Sequence, residues 1–164
     1  MKLFFPQMYT YYESLAESLS ASRDLNFLGG TFSSVCLNTG DNVATKRHRD
    51  LFNLLLGLCL ILVLGNFDST FGGHLVLEEA QVIVELARGD MFFLPSAMFT
   101  HSNTPIKAGD TRNSMAYWTS GNVFLWAELD EKAMSRCTEA QKAAFRKRRE
   151  GLLAQLLSHF PVVA

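Results

Sequence analysis

Cysteine is scarce in this sequence, with three residues, Cys36, Cys59 and Cys137, far apart and odd in number. They form no Cys-x-x-Cys pair and no disulfide framework, which argues against a disulfide-linked partner and for a reducing, intracellular compartment. The simplest reading makes them buried apolar thiols. Charge of one sign is lacking too: the formal net charge is -1. Nothing global therefore marks a nucleic-acid binder, and any charged partner must be met by a local patch. Long hydrophobic runs are missing as well. The most apolar stretch, 54–64, spans 11 positions, whereas a membrane helix needs about 20, so it reads as core and no membrane partner is expected. The opening Met1-Lys2-Leu3-Phe4-Phe5-Pro6 is too short an apolar block for a signal peptide, and no internal repeat is visible.

What is present is a length of 164 residues, suited to one domain with an ordinary core. Thirteen Phe, two Trp and four Tyr suit a packed β interior. Met8, Tyr12, Leu15 and Leu19 recur at helical spacing and predict an amphipathic helix over about 6–22. From Thr31 to Thr119 short apolar stretches alternate with turn signals: Asn38-Thr39-Gly40-Asp41, Phe71-Gly72-Gly73, Arg88-Gly89-Asp90 and Ala108-Gly109-Asp110. Strands are expected near 31–37, 44–48, 57–64, 74–78, 81–86, 91–94, 97–101 and 111–119. The Leu-rich run is read as strand because Gly57 interrupts it, Gly65 ends it, and Ile61 and Val63 are β-branched. Many short strands with no long helix between them argue for a jelly roll or sandwich over a parallel α/β sheet.

A helix returns over about 138–160. Thr138 and Gln141 make a capping-box signature, and Phe145, Leu152, Leu153, Leu156, Leu157 and Phe160 mark an apolar stripe. The run Arg146-Lys147-Arg148-Arg149 on this helix reads either as a solvated basic face or as a phosphate-contacting patch.

Three short motifs carry the chemistry. In a strand, residues two apart share a side, so His48 and Asp50 converge on one ion. An imidazole and a hard carboxylate suit Fe(II), and two His plus one carboxylate leave open positions for substrate and oxygen. Taken alone, His-x-Asp also describes an exposed polar turn. The second motif ends Leu94-Pro95-Ser96-Ala97-Met98-Phe99-Thr100-His101, with His101 far enough along the chain for intervening strands to bring it back. The third begins a strand at Thr111-Arg112-Asn113-Ser114. Asn103, Pro105 and Ala108-Gly109-Asp110 supply a hairpin connection, so the strands of His101 and Arg112 are expected side by side. Alternation puts Arg112 and Ser114 on one face, and Met115 and Tyr117 on the other. An inward arginine is costly unless paired. A dicarboxylate ligand supplies that partner through a bidentate fork and a hydroxyl bond while its keto-acid end chelates the metal; pairing of Arg112 with Asp68 or Asp90 is the structural alternative.

In this order and spacing the motifs resemble the Fe(II)/2-oxoglutarate oxygenase superfamily. The segments Thr45 to Asn53, Gly65 to Asp68, Gly72 to Leu77, Leu94 to Ala97 and His101 to Pro105 are similar to a fungal group placed with the ten-eleven-translocation and J-binding-protein (TET/JBP) oxygenases. The resemblance covers about Phe5 to Trp126. It implies a mainly β, double-stranded β-helix (cupin-like jelly roll) with an N-terminal and a C-terminal flanking helix, as one domain over 1–164 with its core at about 31–126. It implies iron ligands His48, Asp50 and His101, a 2-oxoglutarate grip by Arg112 and Ser114, O2 as cosubstrate and stimulation by ascorbate. Succinate is then the coproduct of C–H hydroxylation, and DNA demethylation at a methylated base such as 5-methylcytosine is the favoured role. Alternatives are a protein side chain, a small molecule, or a non-catalytic binding module. Asn53, His74 and Asn103 are candidates for the substrate side, although a loop-capping Asn53 and a strand-end His74 fit equally. A DNA partner would use the basic C-terminal helix and a nuclear location. Relatives that oxidise nucleobases are usually longer, so the chain reads either as a fragment or as a reduced form without a complete nucleic-acid clamp.

Overall fold

Among the described residues between 34 and 119 the alternation of apolar stretches and turns produces strands that pair antiparallel. The computed structural model describes residues 1–22, 30–40 and 43–160; Asp41, in the first turn signal, lies outside the described residues. The strands are β1 (Ser34–Asn38), β2 (Cys59–Asn66), β3 (Leu75–Leu77), β4 (Val82–Val84), β5 (Met91–Leu94), β6 (His101–Asn103) and β7 (Thr111–Trp118). They form a four-stranded sheet in the order β1-β7-β2-β5 and a three-stranded sheet in the order β4-β3-β6. Val63 of β2, Leu75 and Leu77 of β3, Leu94 of β5 and Leu86 from the loop after β4 bury one cluster drawn from both sheets, with Ile61, Phe67, Val84, Phe92 and Phe99 packed against it. Each such aliphatic side chain contributes about 1.5–3 kcal/mol relative to exposure.

Four expectations for the strand region need correction. Residues 44–48 form no strand; His48 makes only an isolated antiparallel bridge to His101. Tight turns begin at once after it, with Leu51 N–H donating to the Arg49 carbonyl and Asn53 N–H to that of Asp50. The strand expected at 97–101 starts instead at His101, because the Pro95 carbonyl accepts from both Met98 and Phe99 and turns the chain. β6 and β7 are not a hairpin: they lie in different sheets, and residues 104–110 cross between them. Gly65 does not end its strand. It sits within β2 at φ 108° opposite Arg112, where a Cβ would lie 2.3 Å from the Thr111 carbonyl oxygen.

The chain divides into two compact units, Ser34–Thr119 and the two flanks Met1–Ser33 with Ser120–Ala164. In the flanking unit α1 (Pro6–Ser22) buries the expected Met8, Tyr12, Leu15 and Leu19. Tyr11 stacks on Phe124 of α2 (Gly121–Glu128) at 5.0 Å. The tail is two helices, α3 (Glu139–Arg148) and α4 (Leu152–Ser158), where one was expected. Gly151 at φ 84° takes the left-handed conformation that stops the first, so the apolar stripe is broken: Phe145 and Leu156 are buried while Leu153 and Leu157 are exposed. The Thr138–Gln141 capping box is formed in both directions. Among the described residues no helix is long and apolar enough to cross a membrane.

Candidate active site

The bridge between His48 and His101 builds the site. Each donates its backbone N–H to the other's carbonyl, at 3.1 and 2.9 Å, and brings the two imidazoles to 4.3 Å between ring centroids. Asp50 joins them because its N–H donates to the Ser96 carbonyl. The convergence expected from strand alternation thus comes from one bridge and one turn. His48, Asp50 and His101 each offer a ligand atom, and these atoms all lie within 4.8 Å of one another.

Both histidines are oriented through Nδ1, which is 2.8 Å from the Lys46 carbonyl in His48 and 2.9 Å from the Phe99 carbonyl in His101. A carbonyl only accepts, so Nδ1 carries the proton and Nε2 presents its lone pair to the centre. Burial pushes the His101 pKa below the ordinary imidazole value, with a smaller contribution in the same direction from His48. A neutral His101 is the form a metal requires. Asn53 donates to Asp50 Oδ2 at 3.2 Å and to Ser96 Oγ at 3.0 Å, so it orients the carboxylate. Two imidazoles and one carboxylate on one face fit Fe(II) or a similar divalent ion.

A cavity of about 480 Å³ opens beside these residues, and Arg112, Ser114, Asn53 and Asn103 line it. His74 is not among its lining residues; its Nε2 is 2.7 Å from the Ser69 carbonyl instead. Arg112 is 2% exposed, and its Nε has no hydrogen-bond partner. Asp68 is engaged by Lys107 and Thr70 and Asp90 by the Ala87 N–H, so neither alternative partner is used. Among the described residues no carboxylate forms an ion pair with Arg112, and burial alone pushes its pKa down. One contact is a long hydrogen bond to the Val43 carbonyl at 3.5 Å; another is the Phe67 ring, 5.9 Å from the guanidinium carbon. Gly73 makes room for it, since a Cβ there would meet Arg112 Cδ at 3.0 Å. Ser114 Oγ accepts from Asn38 Nδ2 at 3.1 Å, which leaves its own O–H to donate. A buried guanidinium with no ionic partner among the described residues, two positions along the strand from a hydroxyl free to donate, is chemically suited to a carboxylate.

Several lining residues were not foreseen. Asn38, Thr45 and Trp118 face this cavity. The alternation already noted for Arg112 and Ser114 continues through Ala116 to Trp118 and was the available signal. Cys36 and Cys59 also line it; burial first, and the Asp50 charge second, push the Cys59 thiol up to about 12, so it stays protonated.

No protein-family model and no curated protein matches the chain. Among solved structures, NgTET1 in complex with 5mC DNA aligns at a TM-score of 0.54 and 20% identity, over 70% of this chain. The likeness is one of fold. This chain spans 42% of the length of that NgTET1 chain. The viral collagen prolyl hydroxylase vCPH from Paramecium Bursaria Chlorella virus-1, solved as a 2OG complex, aligns at 0.38 and 12% identity, over 64% of this chain and 68% of that one.

Proposed function

We propose that the chain is an Fe(II)- and 2-oxoglutarate-dependent dioxygenase, a single double-stranded β-helix domain with flanking helices, that hydroxylates a C–H bond. One observation carries this reading: a His-Asp-His donor set and a buried, carboxylate-free arginine line the same cavity. His48, Asp50 and His101 would hold the iron, and Arg112 with Ser114 would take the distal carboxylate of 2-oxoglutarate. When bound, iron and cosubstrate supply the oxygen chemistry, with ascorbate as an expected stimulant. The Lys46 and Phe99 carbonyls keep the imidazoles in the ligating tautomer, and Asn53 fixes the Asp50 carboxylate. Arg112 neutralises and aligns the dicarboxylate, while Ile61, Leu75 and Trp118 narrow the space open to water.

The substrate we favour is a methylated nucleobase such as 5-methylcytosine. The cavity offers neutral hydrogen-bonding groups, Thr45, Asn53 and Asn103, and aromatic surface from Phe52 and Trp118. Such a lining suits a planar, uncharged, hydrogen-bonding fragment, and the fold likeness to a protein solved with 5mC DNA supports that class. Arg47 and Arg49 are engaged by Glu78 and Glu79, so among the described residues the basic end of α3 is the densest cationic run left as a candidate for phosphate contact. Extruding a base from a duplex costs a few kcal/mol, and a chain with so few phosphate contacts should prefer single-stranded or mismatched DNA. The test is nucleoside mass spectrometry after incubation of methylated DNA with iron, 2-oxoglutarate and ascorbate. Binding should weaken steeply with salt, and charge reversal at Arg148 and Arg149 should flatten that slope. Succinate release without any oxidised cytosine would transfer the assignment to a protein side chain or small molecule. No succinate from iron-loaded protein would leave a non-catalytic binding module.

A further inference from the structure

The two segments that carry the candidate ligands meet at one carboxylate outside the cavity. Glu79, in the turn between β3 and β4, accepts from the Thr100 N–H at 2.7 Å and from the Thr100 hydroxyl at 2.6 Å. Its Oε1 also pairs with the guanidinium of Arg49. Arg49 Nε in turn donates to Thr100 Oγ1 at 2.9 Å, which closes a three-residue ring of hydrogen bonds. Arg49 stands between His48 and Asp50, and Thr100 immediately precedes His101. The next residue back in the turn contributes too: Glu78 N–H donates to the Thr100 carbonyl at 3.0 Å. Thr100 is buried, so its N–H and hydroxyl require partners inside the protein.

We infer that Glu79 is a positioning residue for the His48, Asp50 and His101 centre, holding both ligand-bearing segments at one spacing through Arg49 and Thr100. The inference rests on the reading of those three residues as a metal centre. The physical reason is that the main-chain hydrogen bonds joining the segments, at Thr45 with Asn103, His48 with His101 and Asp50 with Ser96, leave the side chains of Arg49 and Thr100, next to the ligands, to be fixed by other contacts. The Glu79 ring ties those two side chains to one carboxylate, one residue from a ligand on each segment, and so sets the spacing of the segments there. Partners that orient metal ligands typically govern affinity roughly 10- to 100-fold.

The experiment compares Mn(II) uptake by the full chain, read by the loss of the free-ion EPR signal, in wild type, Glu79→Gln and Asp68→Asn. Glu79→Gln keeps the length and one acceptor oxygen but loses the charge and the pairing with Arg49. Its Mn(II) dissociation constant should rise at least tenfold while far-UV circular dichroism stays that of wild type. Asp68→Asn breaks an exposed ion pair to Lys107 away from the centre and should leave the constant unchanged. Equal Mn(II) affinity in folded Glu79→Gln and wild type would overturn the inference, as would an equal rise in both variants. Where Glu79→Gln does not fold, Thr100→Val removes only the hydroxyl link and is read the same way. Wild type that takes up no Mn(II) would remove the metal centre itself, and with it any centre for Glu79 to position.

Discussion

Replacing Arg112 with methionine should make the empty protein more stable while abolishing its response to 2-oxoglutarate. Arg112 is 2% exposed, with an unpartnered Nε and no carboxylate pairing among the described residues. A buried, uncompensated ion costs several kcal/mol even after relaxation. Little in the structure offsets this. The hydrogen bond to Val43 is at 3.5 Å, the outer limit of distance, and the Phe67 ring at 5.9 Å contributes about 0.5–1 kcal/mol. Methionine keeps most of the aliphatic stem against Gly73 and Phe67, so the packing loss is small. The balance is a gain of about 1–3 kcal/mol for the variant. Urea unfolding with Mn(II) measures both halves. Wild type at a 2-oxoglutarate concentration of about 100 times Kd should gain about 2.7 kcal/mol, and the variant nothing. A variant less stable than wild type when empty, or one still stabilised by 2-oxoglutarate, would refute the reasoning.

Two further outcomes follow from the surroundings of that arginine and of the β2–β3 connection. Gly73→Ala meets Phe67 Cε2 at 2.9 Å and Arg112 Cδ at 3.0 Å at a φ of 76°. It should cost about 1–2 kcal/mol from backbone strain and weaken 2-oxoglutarate but not Mn(II), as read by titration calorimetry of each ligand. The Lys107 hydrogen bond, followed by those from Thr70, holds the Asp68 carboxyl down to about 2. A lowered folded pKa contributes stability that is present above the unfolded value near 4 and lost as pH falls toward 2. The difference in thermal midpoint between wild type and Asp68→Asn should therefore be present at pH 7 and shrink toward pH 2; a constant gap would contradict the linkage.

The candidate ligands were legible because their chemistry is dense in the sequence: His-x-Asp, a distant histidine and Arg-x-Ser. The local geometry was not. Strand alternation seemed to explain how His48 and Asp50 converge, but turns start right after His48, and a backbone bridge does the work. The side-by-side placement of β6 and β7 failed because β6 is three residues long and pairs with β3, a choice made by packing between sheets. The end of the tail helix was readable: Gly151 follows a basic last turn, the usual pattern of a helix stop, yet the apolar stripe appeared to run through it. Glu79 was invisible because Glu78-Glu79 looks like a solvated turn, and its role depends on Thr100, about twenty positions away.

The His48–His101 bridge also bears on how a metal would enter. Its two main-chain hydrogen bonds need no ion, and they already hold the imidazoles 4.3 Å apart. Many small metalloproteins are unfolded until loaded, so that loading and folding are a single event. On the proposed reading, uptake here would be exchange of water for nitrogen and oxygen donors on a finished scaffold. Its rate should follow the water-exchange rate of the chosen ion, with no slow folding phase. A chelator should strip the ion and leave the amides of His48 and His101 protected from deuterium.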